Sequence, residues 1–360
     1  MIFGLERDYF VSDINWRRET ERIFSRTWTC AGRIEKLFNE SDQDLFCTVQ
    51  VGDFDILIVQ QKSGSLQAFH NVCRHRGTTL LSAQSGSLKN SCVTCPYHGW
   101  TYNADGQLIG APNMNDVDAF DLKKFGLKRI ACHDWCGFVM LNPAESQPNF
   151  EEEYAEIIDR MKPWSMDQLE LKATLEYQVR ANWKILFQNY SECYHCPTVH
   201  PSLNRLTPYR GTSNDLEEGL FLGGPMELSA GAETISTDGK RVGKTLPDLS
   251  SEQQRLVYYY TLFPTMFLSS HPDYVMAHEV HPIDNKNTKI HCHFLSDRAT
   301  QNQDLQRAIE QWDEVNRQDW VVCELTQRGI QSPSYTPGPY SNMEPMLIAF
   351  DRYYRQIMNT

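Results

Sequence analysis

The chain has 360 residues, 41% of them hydrophobic and 11% aromatic, enough to bury a substantial core and to build two or three domains. A formal net charge of -12 argues against the basic footprint of a nucleic-acid binder, and no apolar run approaches the ~18 residues that a membrane helix requires. The opening residues, MIFGLERDYFVSD, lack a basic region followed by an apolar run and a small-residue cleavage site, so a cytoplasmic protein is expected. Eleven Cys in that setting point to metal ligation and buried thiols more than to disulfides. Cys30, Cys47, Cys132, Cys136, Cys292 and Cys323 are read as core thiols.

Within residues 1–37, WRRETERIFSRTW places Ile23, Phe24 and Trp28 at helical spacing and predicts a packing helix. From Asp44 onward the runs FCTVQV, FDILIVQ and LQAFHNV, separated by Gly52-Asp53 and by SGS at 63–65, predict an antiparallel β region. Inside it lies Cys73-Arg-His75 and, after 19 residues, Cys95-Pro-Tyr-His98, followed at once by Gly99 and Trp100. Two Cys and two His could bind one structural zinc, yet zinc modules usually pair like with like. Here each motif supplies one thiolate and one imidazole, which suits a 2Fe-2S cluster with both thiolates on one iron and both imidazoles on the other. Gly77, Pro96 and Gly99 fit tight loops whose backbone N–H groups can approach the sulfides. Cys92 competes with Cys95 as a thiolate, but only Cys95 has the two-residue spacing to His98. CRHRG and CPYHGW resemble the signature of a Rieske iron-sulfur domain, with a loop between them a few residues longer than that family's usual spacing. The resemblance makes Cys73, His75, Cys95 and His98 the cluster ligands.

After WTYNADGQLIG and IACHDWCGFVMLNP, Asn142-Pro143 and the Glu-rich FEEEYAEIIDRM mark a boundary and linker helix. LEYQVRANW then opens a second domain and leads into NWKILFQNYSECYHCPTVH. Read as a helix, this stretch puts Trp183, Leu186, Phe187, Tyr190 and Tyr194 on one side and Gln188, Asn189, Glu192 and His195 on the other. Pro197 is expected to end the helix and deliver His200 from a turn closed by Pro201. Two imidazoles on different backbone geometries suit one metal. The plain alternative is a solvated surface helix, against which the polar side carries amides and one acid in place of Lys–Glu pairs. Residues 203–244, rich in Gly, Ser and Thr, are expected to form long loops.

LVYYYTLFPTMFLSSH, YVMAHEVHPID and TKIHCHFLSD predict three or more antiparallel strands. His271, His278, His281, His291 and His293, at strand spacing, are read as structural. In the long helical run from Asp304, Leu305, Ala308, Ile309, Trp312, Val315, Asp319 and Cys323 share one side. An acid in an apolar stripe is costly unless paired or bound to metal, so Asp319 is a candidate ligand and Asp313 the alternative. Arg328 and Gly329 supply a helix end, and a C-terminal helix packs through Met346, Phe350 and Tyr353 or Tyr354.

Two His and one carboxylate describe a facial triad that leaves positions open on a ferrous ion, as O2 activation needs. With the upstream motifs, residues 10–355 resemble the oxygenase (α) subunit of Rieske non-haem iron oxygenases. That resemblance implies an α+β fold. An N-terminal helical segment (1–37) would pack on the catalytic domain, an antiparallel β Rieske domain would span 38–150, and a catalytic domain (151–360) would carry an antiparallel sheet packed by helices, of helix-grip, START-like type. It implies that His195, His200 and Asp319 hold a mononuclear Fe(II). It also implies that Glu192 is the carboxylate linking a cluster His to a mononuclear-site His across a subunit boundary in a trimer, and that the Asn189 amide lies near the iron.

The implied reaction is reductive activation of O2. No G-x-G-x-x-G follows a strand, so electrons must come from a separate flavin and iron-sulfur reductase, with or without a ferredoxin. FQNYSECYHCPTVHP and SYTPGPYSNMEP are most similar to the branch that oxidises quaternary amines such as glycine betaine, proline betaine, carnitine or choline, with N-demethylation releasing formaldehyde. HEVHPID departs from that branch. Tyr209, Tyr258, Tyr260, Phe263 and Phe267 are candidate walls for such a cation, with core packing as the alternative. The competing readings are a ring-hydroxylating dioxygenase acting on an aromatic acid and, outside enzymes, a Rieske electron carrier or a zinc-stabilised binding module.

Overall fold

A computed structural model of the chain describes residues 1–38, 43–146 and 148–359. The chain divides into two compact units, 24–150 and 1–23 with 151–360.

The first unit is built on antiparallel strands β1 (Thr29–Arg33), β2 (Leu45–Val51), β3 (Phe54–Gln60), β4 (Leu66–His70), β5 (Ser85–Ser87), β6 (Cys92–Thr94), β7 (Thr101–Asn103), β8 (Leu108–Gly110), β9 (Arg129–Trp135) and β10 (Phe138–Asn142). They form a seven-stranded sheet in the order β1-β10-β9-β4-β3-β2-β5 and a small sheet β6-β7-β8. The Gly52-Asp53 turn sets the register of β2 on β3, from Val51 opposite Phe54 to Leu45 opposite Gln60. Phe46, Leu57, Val59, Phe69, Trp100 and Tyr102 pack into one core, and Cys73 and Cys95 are members of it. Of the helical segment expected over 1–37, Asp8–Val11, Asp13–Glu19 and Thr20–Phe24 are helical, and the stretch after Phe24 is corrected here. Thr29–Arg33 is a buried strand paired with β10, and Trp28 packs edge-on against Phe150 in the same unit. The helical spacing of apolar residues stops at Trp28, and Gly32, at φ 141, takes a backbone angle that no helix allows.

The second unit carries a six-stranded antiparallel sheet of β11 (Glu170–Val179), β12 (Phe221–Glu227), β13 (Leu256–Leu262), β14 (Met266–Ser270), β15 (Tyr274–Pro282) and β16 (Thr288–Ser296). Its order is β11-β16-β15-β14-β13-β12, a meander with β11 returned to its far edge. Its helices include α1 (Asp13–Glu19), α2 (Trp183–Tyr190), α3 (Cys196–Val199), α4 (Pro201–Leu206), α5 (Asn302–Gln331) and α6 (Pro345–Asn359). The long α5 lies on the sheet: Trp312 Nε1 donates to Tyr274 OH at 2.7 Å, and Asn316 Oδ1 meets His278 Nε2 at 3.2 Å.

Asn182 caps α2 by accepting from Lys184 N, while its Nδ2 donates to the carbonyls of Phe10 and Asn285. Lys184 is fully buried, with Nζ 2.5 Å from Glu19 Oε1. Trp183 Nε1 and Tyr354 OH donate to the same carboxylate at 2.9 and 2.5 Å. One buried acid on α1 therefore ties α2 to α6, and burial, only partly offset by Glu19, holds the Lys184 ammonium below its ordinary pKa.

Two further expectations are corrected. The helix at 182–195 ends at Tyr190, so Glu192 and His195 sit in an irregular segment, and Tyr194 is 54% exposed instead of buried with Phe187. Pro197 does not stop a helix but lies in the first turn of α3, where a missing N–H costs nothing. Second, Cys193 and Cys196 form a disulfide across that bend, with Cα atoms 5.0 Å apart. Cys30, Cys47, Cys292 and Cys323 are buried and outside any disulfide, whereas Cys132 and Cys136 are only partly buried. Among the described residues no helix is long and apolar enough to cross a membrane.

Candidate active site

The two Cys/His loops of the first unit repeat one hydrogen-bond pattern. Gly77 N donates to Cys73 O at 3.0 Å and Gly99 N to Cys95 O at 3.1 Å; Cys73 N and Cys95 N then bond Thr78 O and Trp100 O, each at 2.8 Å. Gly77 and Gly99 have φ of 74 and 71, left-handed values that close each loop at little steric cost. The thiols face the core and the imidazoles face outward: Cys73 and Cys95 are buried, His75 and His98 exposed, with ring centroids 4.7 Å apart. His75 also stacks on Trp100. Paired thiolates beneath paired imidazoles are the donor set of a 2Fe-2S cluster, so these residues fit that group. Tyr102 OH lies 3.4 Å from Cys73 Sγ and accepts from Arg74 N, a contact not foreseen from sequence. Cys92 is turned away, its thiol donating to Asn90 O.

In the second unit His195, His200 and Asp319 offer donor atoms that all lie within 4.8 Å of one another. Asp319 Oδ1 is 2.8 Å from His200 Nε2 and 3.3 Å from His195 Nε2. The other ring nitrogens are held from behind. Glu192 Oε1 is 2.5 Å from His195 Nδ1, and Gln318 Oε1 is 2.7 Å from His200 Nδ1. Both imidazoles thus turn Nε2 toward Asp319, the tautomer a metal needs. Glu192 Oε2 also accepts from the backbone N–H groups of Tyr194 and His195, which fixes the carboxylate in the bend.

Burial alone would raise the Asp319 carboxyl, but hydrogen bonds and charge from the two imidazoles outweigh it and hold the group below the usual carboxylate range. Burial alone would lower His195, yet its contacts with Asp319 and Glu192 push it up to about 10. Two imidazoles and one ionised carboxylate fit a ferrous facial triad, a set that leaves sites open for O2. Asp313 is engaged elsewhere, accepting from Tyr177 OH and Arg317 Nε.

A cavity lies over this triad, about 690 Å³ with the open solvent at its mouth included. Asn189, Tyr190, Glu192, His195, His200, Tyr259, Trp312 and Asp319 are among its walls, and among the described residues no Lys or Arg lines it. Of the five aromatic residues considered from sequence, none does. Tyr260 bonds Asp215, Tyr258 packs on Trp164, Phe263 and Phe267 pack against α2, and Tyr209 contacts Arg210. Strand alternation turns Tyr259 to the opposite face from its neighbours and so into the cavity. His271 and His278 are core residues, fully buried beside Trp312 and Asn316 respectively.

Residues 27–124 match the Rieske 2Fe-2S domain family, and residues 138–360, more than half of the chain, match the ring hydroxylating alpha subunit (catalytic domain) family. Among curated proteins the chain is 29% identical to the glycine betaine monooxygenase oxygenase subunit of Pseudomonas aeruginosa, over 94% of this chain and 85% of that one. It is 30% identical to the carnitine monooxygenase oxygenase subunit of Acinetobacter pittii (91% and 85%), and 27% to the chloroplastic choline monooxygenase of Arabidopsis thaliana (91% and 76%). The fold matches the crystal structure of the quaternary ammonium Rieske monooxygenase CntA with a TM-score of 0.79 at 24% identity, over 99% of this chain and 96% of that one. Naphthalene 1,2-dioxygenase from Rhodococcus sp. follows at 0.74 and 16%, over 99% and 94%. The chain belongs to the Rieske non-haem iron oxygenases as an oxygenase (α) subunit, an oxidoreductase family built on a Rieske 2Fe-2S domain and a catalytic domain that binds a mononuclear iron.

Proposed function

We propose that the chain is the oxygenase component of a monooxygenase that hydroxylates or N-demethylates a small quaternary amine, releasing formaldehyde. The observation that carries this reading is the cavity: aromatic side chains of Tyr190, Tyr259 and Trp312, two carboxylates at Glu192 and Asp319, and, among the described residues, no Lys or Arg in the walls. An aromatic and acidic enclosure favours a permanent cation, which cannot itself take up a proton or donate a hydrogen bond. The named substrates of the relatives, glycine betaine, carnitine and choline, share that chemistry.

In this reading Cys73, His75, Cys95 and His98 hold the cluster, and His195, His200 and Asp319 hold the mononuclear iron. When bound, the two groups supply electrons one at a time and activate O2 beside the substrate. The remaining roles belong to side chains. Glu192 and Gln318 orient the two imidazoles, and Glu192 is the carboxylate through which a neighbouring subunit's cluster imidazole communicates with His195 in a homotrimer. Asn189 presents its amide to the cavity, and Trp312, its indole N–H tied to Tyr274, offers a fixed ring face to the cation. Tyr259 adds a third aromatic side chain to the walls. Reducing equivalents come from a separate flavin and iron-sulfur reductase, and the location is cytoplasmic.

The deciding experiment is turnover with a generic reductase over a panel of betaines, carnitine, choline and aromatic acids. Formaldehyde from a trimethylammonium substrate supports the reading. A cis-diol from an aromatic acid, with no formaldehyde from any amine, replaces it with ring dihydroxylation.

A further inference from the structure

We propose that Glu279, His291 and His293 form a second metal site, separate from the iron triad, for a divalent first-row transition cation, with His281 at its rim. β15 and β16 run antiparallel with Glu279 directly opposite His291; His281 lies two residues along β15 and His293 two along β16. The period of two puts all four side chains on one face of the sheet. His278 and Cys292, which alternate with them, contact Asn316 of α5 and define the other face.

The donor atoms converge. Glu279 Oε2 is 3.0 Å from His291 Nδ1 and 3.2 Å from His281 Nε2, and Oε1 is 2.8 Å from His293 Nε2. Donor atoms of Glu279, His291 and His293 all lie within 4.8 Å of one another, the same compactness as the His195, His200 and Asp319 group. Ligands held at ~2.1 Å from one cation stand about 3 to 3.4 Å apart, close to the 2.8 and 3.0 Å between Glu279 and the two imidazoles.

Two further observations bear on the site. Glu279 is 1% exposed, so its carboxylate is enclosed together with the imidazole nitrogens that face it. Behind His293, Thr174 Oγ1 lies 3.0 Å from Nδ1 and directs Nε2 inward, the arrangement that orients metal-binding imidazoles. His281 and His291 are 27% and 24% exposed, so the site is closed below and open at a rim through which an ion can enter. Two imidazoles and one carboxylate suit Zn2+ or a similar divalent ion over Ca2+ or Mg2+, and the ion would pin β15 to β16.

The test uses the full chain with its iron centres, and the His200→Ala variant beside it so that exchange at the mononuclear site does not count. Each is desalted after brief chelation and titrated with Zn2+ and, in parallel, with Co2+, whose visible d–d bands report nitrogen-rich coordination. About one saturable equivalent of Zn2+ and of Co2+ is expected in His200→Ala, and one more in the wild type at its emptied triad. Glu279→Gln should lose it, and His291→Asn at the rim should weaken it at least about tenfold, with the cluster's visible absorption unchanged. If Glu279→Gln does not fold, His291→Asn decides alone. Absence of saturable binding in His200→Ala, or binding untouched by His291→Asn, leaves only a carboxylate–imidazole ion-pair network and overturns the proposal.

Discussion

Glu192 Oε1 lies 2.5 Å from His195 Nδ1, and Gln318 Oε1 stands in the same relation to His200 at 2.7 Å. Each imidazole of the triad is thus aimed by an acceptor behind it. Removing either acceptor frees the ring to rotate and to change tautomer. Glu192→Ala and Gln318→Leu are each expected to weaken Fe(II) binding at the mononuclear site by about 10- to 100-fold. Anaerobic Fe(II) titration of chelated protein measures this, with the cluster's absorption as the internal control for folding.

The Tyr102 hydroxyl, 3.4 Å from Cys73 Sγ, is positioned to donate to a cluster thiolate. Such a bond favours the reduced, more negative cluster. Tyr102→Phe is expected to lower the cluster potential by about 40 mV, the one-electron equivalent of a hydrogen bond worth ~1 kcal/mol. A redox titration followed by visible absorption reads the shift, and an unchanged potential would show that the hydroxyl serves Arg74 N alone.

Asp351 joins Gln188 Nε2 and Tyr340 OH in a largely buried site, and burial pushes its carboxyl up to about 6. Between the ordinary value near 4 and 6 the folded chain holds a proton that the unfolded chain has released. Stability from this group is therefore present below that window and falls as pH rises through it, by about 3 kcal/mol in all. Asp351→Asn removes the dependence while keeping an acceptor. The Tm difference between variant and wild type should move in the variant's favour from pH 4.5 to 7.5; a difference constant with pH would contradict the assignment.

Trp312 presents a ring face that its bond to Tyr274 keeps from turning. A cation over such a face is worth ~1 to 2 kcal/mol, so Trp312→Leu should raise KM for the quaternary amine about 5- to 30-fold. Inhibition by the neutral tert-butyl isostere should change much less. Equal losses for both would mean that the indole acts by shape alone.

What could be read in advance follows from how local each signal is. Both Cys/His motifs carry their chemistry in adjacent residues, so spacing alone separated Cys95 from Cys92 as the partner of His98. Asp319 stood out because an acid in an apolar helical stripe demands a partner. Gln318 carried no such mark: its role depends on α5 lying beside α4 in one register, and a neutral amide is unremarkable on any helix. Three consecutive tyrosines at 258–260 show the alternation of a strand but not which parity faces the cavity, and Tyr259 was overlooked for that reason. The helical period ran on past Tyr190 because it records side-chain polarity and not hydrogen bonding. The C-x2-C spacing of Cys193 and Cys196 was a signal for the disulfide, but the helical reading of that stretch hid the bend that joins them. Glu279 and the three His beside it are individually ordinary strand residues, and only the pairing of β15 with β16 assembles them.

The central claim is that one chain builds two iron centres from two separate donor sets. It is tested most directly by iron and acid-labile sulfide analysis of wild type and Asp319→Ala. The account predicts about three iron and two sulfide per wild-type chain, with loss of about one iron, no sulfide and none of the Rieske absorption in the variant. Iron content unchanged by Asp319→Ala, or a colourless protein holding zinc, would contradict it.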